Sequence, residues 1–374
     1  MLFRIPRLGR EEQRALERIR ELWTQLAWQL RSEPYRWTGL LRRTSFARAL
    51  QGSNSIEGIE VSPEDALAAA DGAQPFEAAN EAWAAVSGYR DAMTYVLQLA
   101  ADPHFRYEPS LLRSLHFMML RYNLAKKPGA WRPGAIYVRD DRSGDIVYEG
   151  PDAEEVPALM DELARELNAE TSDSPMIRAA LAHLNLVMIH PFSDGNGRMA
   201  RCLQTLVLAR AGVLDSTFGS IEEDLGRNTE SYYAVLAEVG GGAYQPKRNA
   251  RPWVRFVLAA HFRQATTTLR RNRELGAVWG DVELEVQRRG LPERCIVLLV
   301  NAAQGYPIRN ADYRRHADVS GLVASRDLRA LTSAGLLRAE GEKRGRRYRA
   351  SEELRAIRAK HRRREEMPDP FAAR

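Results

Sequence analysis

His190-Pro191-Phe192-Ser193-Asp194-Gly195-Asn196-Gly197-Arg198-Met199-Ala200-Arg201 brings a histidine, a carboxylate, two glycines and two arginines into twelve residues. What flanks this stretch decides the fold. Ser174-Pro175 upstream reads as a helix start, a hydroxyl N-cap followed by proline where no amide hydrogen is needed. Met176, Ile177, Ala180, Leu181, Leu184, Val187 and Met188 follow at roughly helical spacing, with apolar residues on most faces, so this helix should be largely buried. Pro191 cannot continue it and leaves His190 at its end. A second apolar helix is expected from about Gly197 through Cys202, Leu203, Leu206, Val207 and Leu208, with Gly212 as its stop.

Between the helices, Gly195, Asn196 and Gly197 tolerate left-handed geometry and let backbone amides converge. A helix N-terminus binds anions, and a glycine-rich loop lets a phosphate come close. Arg198 and Arg201, three apart, add charge on neighbouring positions of that helix. Asp194 could hold a Mg²⁺ that bridges phosphate oxygens. His190 is the residue type for a base of near-neutral pKa. A plain helix-loop-helix turn, with a structural histidine and solvated arginines, would account for each piece alone. The pieces together read as a site for moving a phosphate-bearing group.

The stretch closely resembles the signature of the Fic family, H-P-F-x-[D/E]-G-N-G-R-x-x-R, with every fixed position present. The resemblance implies transfer of AMP from ATP onto a protein hydroxyl, with Mg²⁺. It makes His190 the base, Phe192 an inward anchor of the loop, and Asp194 the metal ligand. The amides of Gly195, Asn196 and Gly197 would cradle phosphates. Arg198 would pair with the γ-phosphate, and Arg201 would support the more inward phosphates. A second resemblance lies upstream, where Ser53-Asn54-Ser55-Ile56-Glu57-Gly58 is similar to the family's inhibitory motif, [S/T]-x-x-x-E-[G/N]. It ends an expected helix over 44–58, with Gly58 as a C-terminal stop. Alone, this segment would be a solvated helix end. Beside an intact signature it implies that Glu57 pairs with Arg198 and excludes the γ-phosphate.

Elsewhere the pattern is mainly helical. Leu16, Ile19, Leu22, Trp23, Leu26 and Leu30 predict a helix over about 9–31, ended by Pro34. Further helices are expected over 76–100, from Ser110, from Asp152 to about Asn168, and from Pro252 to about Leu275. His116 reads as a core or boundary histidine and His183 as a packing residue. Ala135-Ile136-Tyr137-Val138 and Ile146-Val147-Tyr148, flanking a polar tip, read as a β-hairpin. Family resemblance makes this hairpin (136–148) a flap that docks the target's backbone, and Gly129-Ala130-Trp131-Arg132 matches the family's lead-in to it. By the same resemblance Asn228, Tyr232 and Tyr233 line an adenine pocket.

The C-terminal region changes character. Short helices over 292–301, 310–316 and 320–333 precede Leu336-Leu337 and Tyr348, which bracket a basic, glycine-containing turn. This order resembles a winged helix. From 341 to 364 there are eleven Lys/Arg against three Glu, which suits duplex DNA. A protein-interaction or homodimer module is the other reading.

The chain has 374 residues, 44% apolar and 28% charged, with a net charge of +6 and a pI near 9.4. That length suits about two or three domains, and the charge is a mild pointer to an acidic partner. Cys202 and Cys295 lie far apart in apolar runs and read as free buried thiols, which suits a reducing compartment. With no signal-peptide pattern and no membrane-spanning run, a cytoplasmic location is expected.

The expected architecture is a mainly α chain: a helical Fic core with a small β-hairpin flap, then a C-terminal winged helix. An N-terminal helical region (1–110) would carry the inhibitory helix. The catalytic core (111–275) would carry the flap (130–149) and the signature. The winged helix (281–350) would be followed by a basic helix and tail (351–374), disordered from 365. The implied function is protein adenylylation restrained by Glu57. Its rivals are de-adenylylation at the same site and an ATP-sensing, DNA-binding regulator. Nothing in the residues names the target protein or its modified side chain.

Overall fold

The apolar spacing of the first hundred residues resolves into four helices: α1 (Arg10–Ser32), α2 (Thr38–Ser55), α3 (Pro63–Ala70) and α4 (Asn80–Leu99). The computed structural model describes residues 1–32, 37–77, 79–139, 143–213, 220–342, 345–363 and 369–372. Pro34, the residue expected to end α1, lies outside them, as do flap-tip residues Asp140, Asp141 and Arg142. Next come α5 (Pro109–Leu120), a single 3₁₀ turn (Leu124–Lys126), and the hairpin β1 (Tyr137–Arg139) and β2 (Ile146–Glu149). After it run α6 (Val156–Asn168), α7 (Pro175–Ile189), α8 (Asn196–Arg210), α9 (Glu222–Arg227), α10 (Thr229–Gly240) and α11 (Arg251–Arg288). The last elements are α12 (Cys295–Ala303), α13 (Asn310–Ala317), α14 (Gly321–Ser333), β3 (Leu337–Glu340), β4 (Arg347–Ala350) and α15 (Glu352–His361). The fold is mainly α, with two small antiparallel hairpins among the described residues.

The chain divides into two compact units: Met1–Ala27 with Ser45–Thr266 and Pro368–Arg374, and Trp28–Thr44 with Thr267–Met367. In the first, α7 and α8 are buried nearly all round, as their apolar spacing demands, and pack on each other. Trp253, fully buried on α11, donates its indole N–H to the Ala180 carbonyl (2.7 Å). Asn185 of α7 bonds both the amide and the carbonyl of Phe3, which ties the N-terminal segment to the core. The hairpin pairs Tyr137 with Glu149 and Val138 with Tyr148, and the Tyr148 hydroxyl donates to the Met188 carbonyl (2.7 Å) at the end of α7. The flap is thus anchored two residues from His190.

In the second unit, α12, α13 and α14 precede the β3–β4 hairpin, and Ile308 makes an antiparallel bridge to Tyr348. Buried Asp327 of α14 takes two bonds from Arg294 and one from the Tyr313 hydroxyl, which fixes these helices together. Ser320 and Ser351 cap α14 and α15 through their hydroxyls.

Three expectations need correction. The helix from Pro252 continues past Leu275 to Arg288, 38 residues in all, and stops before Gly290 (φ +63°). Gly276 is no breaker here; it admits the Trp37 ring, which would lie 2.9 Å from a β-carbon at that position. The helix expected over 44–58 is α2, which starts earlier and ends at Ser55. Within the tail expected to be disordered from 365, residues 369–372 form a turn, with the Arg255 guanidinium 4.0 Å from the centre of the Phe371 ring, while 364–368 and 373–374 lie outside the described residues. No helix among the described residues is long and apolar enough to cross a membrane.

Candidate active site

The end of α7 sets the geometry. His190 closes the helix in the left-handed conformation (φ +52°), and Pro191 forbids continuation. Its Nδ1 lies 2.9 Å from the Val187 carbonyl, so Nδ1 carries the proton and Nε2 keeps its lone pair. Burial pushes the imidazole pKa below its usual 6.5, against the opposing pull of the Val187 carbonyl. The backbone of His190 is clamped by Arg132, which donates to the carbonyls of His190 (2.9 Å), Gly134 (2.6 Å) and Pro151. A guanidinium spent on three carbonyls leaves a buried positive charge beside the histidine.

The loop that follows is held from within and from below. Asn196 accepts from the Phe192 amide (2.9 Å) and donates to the Phe192 carbonyl (2.8 Å), closing the loop on itself. Phe192 is fully buried, its ring stacked on His116 with centroids 3.7 Å apart. His116 accepts from the Gly129 amide at Nδ1 (2.8 Å) and donates from Nε2 to the Asp194 carbonyl (2.9 Å). It is a neutral strut beneath the loop, its pKa lowered by burial to about 4. Gly195 adopts φ +76°, and a β-carbon there would lie 2.6 Å from a methyl of Leu120.

At the start of α8 both arginines are buried. Arg198 Nε and Nη1, and Arg201 Nη1, have no hydrogen-bond partner among the described residues. Buried guanidinium N–H groups at a helix N-terminus form an anion site in search of acceptors. One acceptor is already there: Glu57 Oε1 takes a bond from Arg201 Nη2 (2.7 Å) and lies against Gly197.

Glu57 therefore meets Arg201, not Arg198 as expected. The cause is Ser53, whose hydroxyl and carbonyl accept from Arg201 Nε (2.7 Å) and Nη2 (2.9 Å). They draw this arginine to the end of α2, within reach of a carboxylate one turn further on. Glu57 itself stands just past the helix. Ile59 N–H bonds the Asn54 carbonyl and Gly58 N–H that of Ser55, with Gly58 at φ +72°, a Schellman stop.

The remaining residues separate. Asp194 Oδ2 lies 2.5 Å from Lys126 Nζ. Burial pushes its carboxyl up, but Lys126 and the Gly195 amide outweigh that and the net shift is downward. Tyr232 belongs to the core rather than to an open pocket: it is 1% exposed, against His183, Trp253 and Tyr233, and its hydroxyl lies 3.0 Å from His183 Nε2. Tyr233 is the exposed member of the pair, and its hydroxyl donates to the Ile56 carbonyl beside Glu57 (3.0 Å). Asn228 stands at the N-cap position of α10 without a side-chain cap bond, and its side-chain amide donates back to the Asp224 carbonyl (2.8 Å). His116, Lys126 and Arg132 carry no site-specific pattern in the sequence beyond the lead-in motif that holds Arg132.

Residues 106–208 match the Fic/DOC family. Over 145 residues the chain is 35% identical to a protein of Drosophila yakuba named protein adenylyltransferase Fic. It is 34% identical to the protein of that name in Drosophila melanogaster. The matched stretch is 38% of this chain and 26% of each relative, so it spans about a quarter of their length. Among solved structures, a Fic family protein from Desulfovibrio desulfuricans G20 superposes with a TM-score of 0.60 at 21% identity, covering 94% of this chain and 99% of that one. A Fic domain containing signaling protein from Bacteroides thetaiotaomicron VPI-5482 gives 0.54 at 23% identity, covering 68% of this chain and 95% of that one. These two likenesses speak for the fold.

Proposed function

We propose that this chain, which carries a Fic domain, is a protein adenylyltransferase restrained by its own Glu57. The observation that carries the reading is the occupied anion cradle. Two buried arginines at a helix N-terminus present guanidinium N–H groups unpartnered among the described residues, and the Glu57 carboxylate, from just past α2, bonds one of these arginines. A nucleotide's phosphates would take the place of that carboxylate.

In the proposed reaction a hydroxyl oxygen of the target attacks the α-phosphorus of ATP. An O–P bond forms, the bond from the α-phosphorus to its bridging oxygen breaks, and pyrophosphate leaves. The hydroxyl proton passes to Nε2 of His190, which is neutral and held by Val187 and Arg132 for that task. Arg198, Arg201 and the amides of Asn196 and Gly197 hold phosphate oxygens, the Gly195 amide being already bound to Asp194 Oδ1 (2.7 Å). Asp194 is a hard oxygen donor already paired with a cation in Lys126, and it would be the residue that holds Mg²⁺. When bound, that ion supplies charge neutralisation. Tyr233 offers the aromatic face for adenine, and the β1–β2 hairpin, with Tyr137, Ile146 and Val147 exposed, offers an edge to the target.

The test is incubation of the full chain with α-labelled ATP and a cell lysate. Label on protein that disappears in His190→Ala supports the reading. No label with either the wild type or Glu57→Gly overturns it.

A second reading concerns the other unit. Trp28–Thr44 and Thr267–Met367 hold 27 Lys/Arg against 15 Asp/Glu, whereas the rest of the chain holds 28 against 34. The helix order and hairpin support the reading as a winged helix, in which α14 would be the recognition helix. Its outward face carries Leu322, Arg326 and Arg329. Arg347 and Arg349 on the wing already face Glu340 (3.5 and 2.9 Å), so α14 would supply the leading contacts to duplex DNA.

A further inference from the structure

Lys126 is placed with more care than a surface lysine needs. It ends the 3₁₀ turn Leu124–Lys126, and Lys127 beyond it adopts φ +49°. Three backbone bonds close this turn: Lys126 N–H to Asn123, Lys127 N–H to Leu124, and Ala130 N–H to Lys127. Arg113 binds the Gly129 carbonyl (2.7 Å) and His116 binds the Gly129 amide. His116 also holds the Asp194 carbonyl through its other nitrogen (2.9 Å). One imidazole thus ties the lysine's turn and the aspartate's loop together at a fixed spacing. Across that spacing the ammonium lies 2.5 Å from Asp194 Oδ2, both side chains about one-third exposed (38% and 35%). Asp194 Oδ1 is engaged separately, by the Gly195 amide (2.7 Å). The oxygen available to a metal is the one the lysine holds.

We propose that Lys126 is a built-in counter-ion that competes with the divalent cation for Asp194, so that the metal is admitted only as this ammonium leaves. This rests on Asp194 being the metal ligand. An ammonium and a metal ion cannot both sit at contact distance from one carboxylate oxygen without strong mutual repulsion. Neutralising the lysine therefore strengthens metal binding, although it removes a favourable ion pair.

The experiment is a titration of the full chain with Mn²⁺, reading unbound Mn²⁺ by electron paramagnetic resonance. Lys126→Met should bind about fivefold or more tightly than the wild type, and Lys126→Arg no more tightly than it. Lys126→Gln serves where the methionine variant fails to fold. Affinity unchanged or weakened in the neutral variants, or no Asp194-dependent binding in any protein, overturns the proposal. Asp194→Asn separates the two layers. If it binds Mn²⁺ as well as the wild type, the metal assignment itself fails. If it alone loses binding while the lysine variants match the wild type, only the role of Lys126 fails.

Discussion

Glu57 Oε1 accepts a hydrogen bond from Arg201 Nη2 at 2.7 Å, and the same guanidinium binds the hydroxyl and carbonyl of Ser53. The arginine is 1% exposed and the glutamate 22%, so the pair is largely shielded from solvent on one side. Removing the carboxylate should release the cradle. Glu57→Gly should raise AMP transfer, self-modification included, by about tenfold or more, which needs only ~2 kcal/mol of lost competition. Initial rates with α-labelled ATP check this. Equal rates would remove Glu57 as an inhibitor, and a lower rate with loss of AMP removal would favour de-adenylylation.

Gly52 positions that glutamate. A β-carbon at Gly52 would lie 2.5 Å from the Glu222 carbonyl, and one at Gly226 would lie 2.7 Å from the Gly52 α-carbon. Two glycines let the end of α2 touch α9 backbone to backbone. Gly52→Ala should push α2 away, cost about 1–3 kcal/mol of stability, and raise transfer by less than Glu57→Gly does. A variant with unchanged melting temperature and rate would contradict the close contact.

As the proposed base, His190 can act only with Nε2 unprotonated. Burial lowers its pKa from 6.5, so the acid limb of the transfer rate should lie below pH 6.5 and the rate should be flat through neutrality. His190→Ala should abolish transfer while circular dichroism and nucleotide binding persist. An acid limb above that value would mean another group limits the rate.

Three buried histidines of the first unit make it sensitive to acid. Burial lowers His116 and His261 to about 4 and His183 to about 3. Above 6.5 both states are neutral and the stability is complete. As pH falls from 6.5 toward 4 the unfolded chain takes up protons that the folded unit refuses, so stability is lost, up to ~1.4 kcal/mol per pH unit for each histidine. Urea unfolding followed by tryptophan fluorescence should show a clearly lower midpoint at about pH 5 than at about pH 7.5. Equal midpoints would show that these rings protonate in the folded state.

Binding of duplex DNA by the full chain should weaken steeply with salt, and Arg326→Ala with Arg329→Ala should reduce it by about tenfold. Retention that ignores both salt and these substitutions would point instead to a protein-docking role.

The α7–loop–α8 core was legible because apolar spacing, Pro191 and the glycines are local signals. The partner of Glu57 was not, since Arg198 and Arg201 lie on neighbouring positions of one helix and the choice is made by Ser53 on another. His116 looks like any histidine on a buried helix face, and its two hydrogen bonds go to backbone groups distant in sequence. Lys126 sits in a turn with no periodicity to mark it. The length of α11 was misjudged because the packing of Trp37 on Gly276 is invisible in the order of residues.

The signature loop rests between two charged tethers of opposite sign, Glu57 at its arginine end and Lys126 at its aspartate end. Loading with nucleotide and Mg²⁺ would exchange a carboxylate for phosphates and an ammonium for metal, each displaced by an ion of its own sign and higher charge. Filling the site is then an ion exchange within the protein rather than a net neutralisation. Nucleotide affinity should accordingly vary less with ionic strength than two buried arginines suggest, and removing the Glu57 tether should make it steeper.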